Sequence, residues 1–209
     1  MEGQKQRWLY CIVDQAGIIF IIPKINEYPW IVSLSTAQGA HFCGGTLIAS
    51  QWVLTASHCM FEDQAQTIPT TAAKIEVVLG EHDFNDENES KLGRKAVKVS
   101  QIIKHPDYDT SNFNRDIALL KLAEEVDLNT YTPACLPKTT DNYEGKNAWV
   151  YGKENIKYMS KNQKMFKGWG TTDFGAASSN RLLEVEVPVV SNVVCAAAMP
   201  EFTVWNTFY

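Results

Sequence analysis

The sequence predicts an all-β protein, a barrel or a sandwich, on three observations: short apolar or alternating runs bounded by turn residues, no strong helical period between them, and long polar connections. The runs fall at residues 30–34, 41–48, 52–55, 75–79, 96–103 and 117–122. Six short runs of this kind with no strong helix between them are better matched by strands than by helices. The polar stretches 61–73 and 81–94 read as loops on that scaffold, where working surfaces tend to collect. A second apolar cluster, at 147–150 and 182–190, follows the linker at 133–146, and we place a domain boundary there. The expected organisation is a leader at 1–25, an N-terminal module at 26–132, the linker, and a C-terminal module at 147–209.

Residues 151–167 break this pattern. They hold Lys153, Lys157, Lys161, Lys164 and Lys167 against one acid, Glu154, with neither strand nor helix periodicity, and read as an insertion. The stretch is dominated by residues with A/T-rich codons, and we read it as intronic sequence translated in frame.

Composition narrows the function. With 209 residues, 45% of them apolar, the chain is long enough to bury a substantial core. Acidic residues outnumber basic ones, 24 to 19, for a net charge of -5, which argues against nucleic acid or an anionic membrane as partner. No apolar run reaches the length of a bilayer span. The leader lacks a clean signal peptide, because Asp14 and Gln15 interrupt its apolar stretch. Five cysteines, Cys11, Cys43, Cys59, Cys135 and Cys195, leave at least one without an intrachain partner under oxidising conditions.

The chemistry-bearing signal is Trp52-Val53-Leu54-Thr55-Ala56-Ser57-His58-Cys59, preceded by Cys43-Gly44-Gly45-Thr46-Leu47-Ile48. An apolar strand delivers His58 at its end, beside a cysteine able to bridge back to Cys43, a closure worth about 3 kcal/mol for a loop of roughly 15 residues. A general base needs such a fixed imidazole. A lone histidine here would more simply be structural. It is not alone, because Asn114-Arg115-Asp116-Ile117-Ala118-Leu119-Leu120 sets one acid at the mouth of an apolar strand. A buried carboxylate is costly unless paired, and pairing with His58 would fix the imidazole tautomer; the plainer alternative is a solvated turn aspartate.

These two segments resemble the histidine and aspartate motifs of the chymotrypsin/trypsin-like serine endopeptidases. The likeness extends to Tyr28-Pro29-Trp30, Ile103-Lys104-His105-Pro106, Pro133-Ala134-Cys135-Leu136-Pro137 and Gly168-Trp169-Gly170-Thr171-Thr172, covering roughly residues 26–150 and 168–199. It implies two antiparallel barrels of the trypsin type, with His58 as general base, Asp116 as its orienting acid, and a protein or peptide substrate. It also implies a secreted, disulfide-bonded monomer that needs no cofactor. The loop from Glu81 to Glu89 resembles the calcium loop of such domains, with Glu81, Asn85 and Glu89 as candidate ligands. Zinc on Cys43, His58 and Cys59 is disfavoured, since adjacent His and Cys do not easily point at one ion.

The pattern also fails in places. No Gly-Asp-Ser-Gly-Gly motif is present and no serine lies beyond Ser191, so nucleophile, oxyanion hole and specificity pocket are all missing and the second barrel is expected to be incomplete. The chain as written is therefore expected to be inactive, a loss on the order of a millionfold in rate. Ile12-Val13 is followed by Asp14 where an activation terminus would carry glycine. The rival reading is a non-catalytic homologue, acting as a binding or regulatory module.

Overall fold

The computed structural model describes residues 21–86, 93–138, 141–152, 157–158, 164–165, 181–191 and 193–194. They are strand, turn and irregular chain, with two 3-10 turns and a helical start at Val193 and Val194. No described helix is long and apolar enough to cross a membrane. Two compact units are present, one comprising Lys24–Leu136, the other Met1–Pro23 with Pro137–Tyr209.

The first unit is a closed barrel of six antiparallel strands. They are β1 (Ile31–Thr36), β2 (His41–Ala49), β3 (Trp52–Thr55), β4 (Ile75–Leu79), β5 (Lys95–Lys104) and β6 (Ala118–Leu122). Around the barrel the order is β1, β2, β3, β6, β5, β4, closing back on β1. All six predicted strands form, with ends that differ by a few residues. In β6 the alternation is complete: Ala118, Leu120 and Leu122 are buried, while Leu119 and Lys121 are half-buried. Val32, Leu34, Leu47, Val53, Val77 and Leu79 have no more than a trace of exposed surface and meet Leu120 in one core. Each such side chain stabilises the fold by about 1.5–3 kcal/mol through burial alone.

Closure requires strands to bend, and irregularities in register occur at Leu34/Ser35, Leu47/Ala49 and Val99/Gln101. At the last of these the Ser100 hydroxyl faces the carbonyls of Lys121 and Leu122, at 3.0 and 3.1 Å, and so secures the bend. Gly45 sits where β1, β2 and β3 crowd. A Cβ there would lie 2.8 Å from Val53 Cγ1 and 3.1 Å from Val32 Cγ2, so only glycine fits without displacing the core.

In the second unit, β7 (Asn147–Gly152) pairs antiparallel with β10 (Leu183–Pro188). Ile21 extends this pairing through two backbone hydrogen bonds with Glu184, at 2.9 and 2.8 Å. Strand β7 runs two residues into the predicted insertion, because Tyr151 and Gly152 find partners in Glu184 and Leu183. Two further short strands inside it, β8 (Lys157–Tyr158) and β9 (Lys164–Met165), pair with each other, a local hairpin that the lysine-rich composition did not signal. The described strands of this unit form two-stranded sheets. The expected motif at 168–172 and the predicted residues Cys11 and Cys195 lie outside the described residues.

Candidate active site

Strand register builds the site. Antiparallel pairing of β3 with β6 sets Thr55 opposite Ala118, so the residues just after β3 meet those just before β6. The chain leaves β3 through Ala56 into a 3-10 turn, Ser57–Met60, which carries His58 and Cys59. Cys59 is joined to Cys43 on β2 by a disulfide, the bond the spacing allowed. Thr55 adds a hydrogen bond from its hydroxyl to Gly44 O, at 2.8 Å. The turn is thereby tied to a neighbouring strand on one side.

Three hydrogen bonds tie it, on the other, to the residues that lead into β6. The Ser57 hydroxyl donates to Ile117 O at 2.7 Å, His58 N donates to Asp116 Oδ1 at 2.7 Å, and His58 Nδ1 meets Asp116 Oδ2 at 2.7 Å. The Asp116 side chain has no exposed surface, whereas that of His58 keeps 24%. Each oxygen of this buried carboxylate thus meets His58. With Nδ1–H donating to Oδ2, the neutral ring carries its lone pair on Nε2. Nε2 lies 3.5 Å from Cys59 Sγ, a disulfide sulfur with no hydrogen to give.

The segment entering Asp116 is strained and heavily bonded. Phe113 and Arg115 both have φ of 57°, in the left-handed region that costs a non-glycine residue about 1–3 kcal/mol. A chain of side-chain caps holds them there: Asp109 accepts from Ser111 and Asn112, and Asn112 Oδ1 accepts from Asn114 N at 2.9 Å. Arg115 Nη1 reaches Asp107 Oδ2 at 3.3 Å. The Phe113 ring meets the His58 imidazole edge-on, 6.3 Å between centroids and 75° between planes. Tyr108, on the same segment, donates its hydroxyl to Gln66 Oε1. Burial first, then the negative charge of Asp116, raises its phenol far above the usual range, so it stays neutral.

The sequence had singled out neither Ser57 nor Phe113. Ser57 gave no signal, since its partner is a backbone carbonyl 60 positions away. Phe113 was visible only as a lone apolar residue in a polar run. His82, in the loop that follows β4, is only 6% exposed. His105 begins a turn, its Nδ1 accepting from Asp107 N at 3.1 Å.

The candidate cation ligands do not assemble among the described residues. Glu81 is buried and its Oε2 receives Arg94 Nε at 2.9 Å, Asn85 is exposed, and Glu89 lies outside the described residues. Donor atoms of Cys43, His58 and Cys59 lie within 4.8 Å of one another, yet both sulfurs are in a disulfide and neither is a thiolate. Cys135 is an exposed free thiol.

Comparison with known proteins agrees with this architecture. The family model described as Trypsin matches residues 23–208, most of the chain. The chain belongs to the trypsin family and carries a trypsin-like serine protease domain. It is 33% identical over 180 residues to mannan-binding lectin serine protease 1 of Homo sapiens, covering 81% of this chain and 22% of that protein. To a trypsin of Squalus acanthias it is 33% identical over 178 residues, 85% of this chain and 63% of the relative. To a tryptase of Mus musculus it is 35% identical over 176 residues, 81% and 55%. The chain thus spans less than two thirds of the length of each of these relatives.

Proposed function

We propose that this domain serves peptide-bond hydrolysis through an acylated serine, with His58 as general base and Asp116 as the acid that orients it. The observation that carries this reading is the buried Asp116 carboxylate, each of whose oxygens meets a nitrogen of His58. Such an arrangement is costly to bury and gains little for stability over an apolar pair, but it fixes the tautomer that leaves Nε2 free to take a proton. Once Nε2 is protonated, the adjacent carboxylate stabilises the imidazolium, and the same proton is then available to the leaving amine.

The 209 residues contain no Gly-Asp-Ser-Gly-Gly run, so we further propose that these residues by themselves do not hydrolyse peptides. A non-catalytic homologue acting as a binding or regulatory module is the competing reading, favoured by that missing motif. The intact His58–Asp116 pair speaks for the catalytic one. A protein or peptide is the substrate class, no cofactor enters the chemistry, and the reading needs only one copy of the chain. The Cys43–Cys59 disulfide supports a secreted, oxidising location. Calcium has no part in this reading, because Arg94 already occupies Glu81.

The test is a serine-directed phosphonofluoridate probe applied to the 209-residue chain and to the protein isolated from its natural source. The expected result is labelling of the natural protein, abolished by His58→Ala, and none of the 209 residues alone. Labelling or turnover that survives His58→Ala sinks the assignment of the base.

A further inference from the structure

The connection that leaves β4 opens with three buried polar residues, Glu81, His82 and Asp83, exposed by 9%, 6% and 8%. A carboxylate this deep needs a positive partner or a dense set of donors. Glu81 has a guanidinium: Arg94 Nε stands 2.9 Å from Glu81 Oε2, with the Glu81 side chain 5% exposed. Sheet register explains the meeting. Leu79 pairs with Lys95, so Glu81 and Arg94 stand at the two ends of the same loop, one just past β4 and the other just before β5. Lys95 itself turns to Glu124, at 2.9 Å, leaving Arg94 as the cation on Glu81.

The rest of the described loop is held by its own contacts. Asp83 Oδ1 accepts from Asn85 N at 3.0 Å, Asp86 N donates to Asp83 O at 2.9 Å, and the Phe84 ring lies 5.0 Å from that of His41 on β2. At the far end the Tyr131 hydroxyl donates to Gly93 O at 3.0 Å. Calcium asks for six to eight oxygens around one point, and here one of the two buried carboxylates, Glu81, is already neutralised by a charge of the same sign as the ion. A cation entering at Glu81 would have to expel that guanidinium.

We propose that Arg94 takes the place of a cation at Glu81, so that the two ends of this connection are held together by an internal ion pair and independently of calcium. The inference does not rest on the peptidase reading. It is tested on the oxidised 209-residue chain by its thermal midpoint and by the rate at which an added protease cuts between residues 81 and 94, in calcium chloride and in EGTA. The unchanged chain is expected to melt within about 1 °C in the two solutions, and to be cut at the same rate. Arg94→Gln, which leaves Glu81 buried without its partner, is expected to lower the midpoint by about 2–8 °C and to speed cutting. Arg94→Lys, which keeps one charged donor, should lie between them. A rise of the unchanged chain's midpoint in calcium, or an Arg94→Gln chain that melts and is cut like the unchanged one, overturns the proposal. Should Arg94→Gln not fold, the calcium response of the unchanged chain and of Arg94→Lys decides the matter by itself.

Discussion

At the scale of single residues, the behaviour of the site follows from which atom donates. Two donors of His58, its backbone N and Nδ1–H, face the two oxygens of Asp116. Asp116→Asn replaces one acceptor with an NH2 group, and the least costly remedy is for the ring to move its proton to Nε2. That tautomer has no lone pair to offer a hydroxyl, so kcat of the natural protein should fall about 10⁴-fold with KM little changed, as steady-state kinetics would show. Ser57→Ala should be milder. It removes one donor from Ile117 O, which still accepts from His105 N at 3.0 Å, so urea titration should find a loss of about 1 kcal/mol. His58 and Asp116 stood out in the sequence because each flanks an apolar strand, where a polar group is conspicuous. Ser57, Phe113 and Arg94 were not, since their partners are fixed by register and backbone geometry that a linear pattern does not carry.

At the scale of elements, Gly45 shows how tightly three strands are pressed together. Gly45→Ala puts a methyl 2.8 Å from Val53 Cγ1, on a β-branched side chain with little freedom to yield. Overpacking of this kind costs about 1–3 kcal/mol, measurable as a lower denaturation midpoint with unchanged m-value. The strands were legible as short apolar or alternating runs between turn residues, as where buried Val97 and Val99 alternate with exposed Lys98 and Ser100 along β5. The connections were less so. The hairpin of β8 and β9 rests on backbone pairing of Lys157 with Met165 and of Tyr158 with Lys164, and the buried start of the loop at Glu81 rests on an ion pair whose two members are 13 positions apart.

At the scale of the molecule, the barrel is expected to behave as a folding unit. Lys24–Leu136 contains all six strands of a closed sheet, the core that fills it and the disulfide that staples the histidine turn. A closed sheet leaves no open edge, so limited proteolysis of the oxidised chain should leave a resistant product close to these limits. Absence of such a product would count against the unit. Acid should unfold this barrel through its capping carboxylates. Asp63, Asp109 and Asp127 are all held below the ordinary value of 3.8, chiefly by hydrogen bonds to Ile68, Ser111 and Thr130 respectively. Below that value the unfolded chain binds more protons than the folded one. The stabilisation is therefore full above pH of about 4 and fades as pH falls through the lowered values. Urea midpoints measured from pH 6 downward should drop in that window, and Asp109→Asn should flatten the decline.

The pairing of Thr55 with Ala118 has one more consequence. The proton-handling dyad is aligned by the same lattice of backbone bonds that keeps the sheet together, much as two teeth are aligned by the gear that bears them. Surface connections elsewhere on this unit can therefore lengthen, shorten or change composition during evolution without detuning the dyad, whereas a slip of one position between those two strands would unmesh it at once.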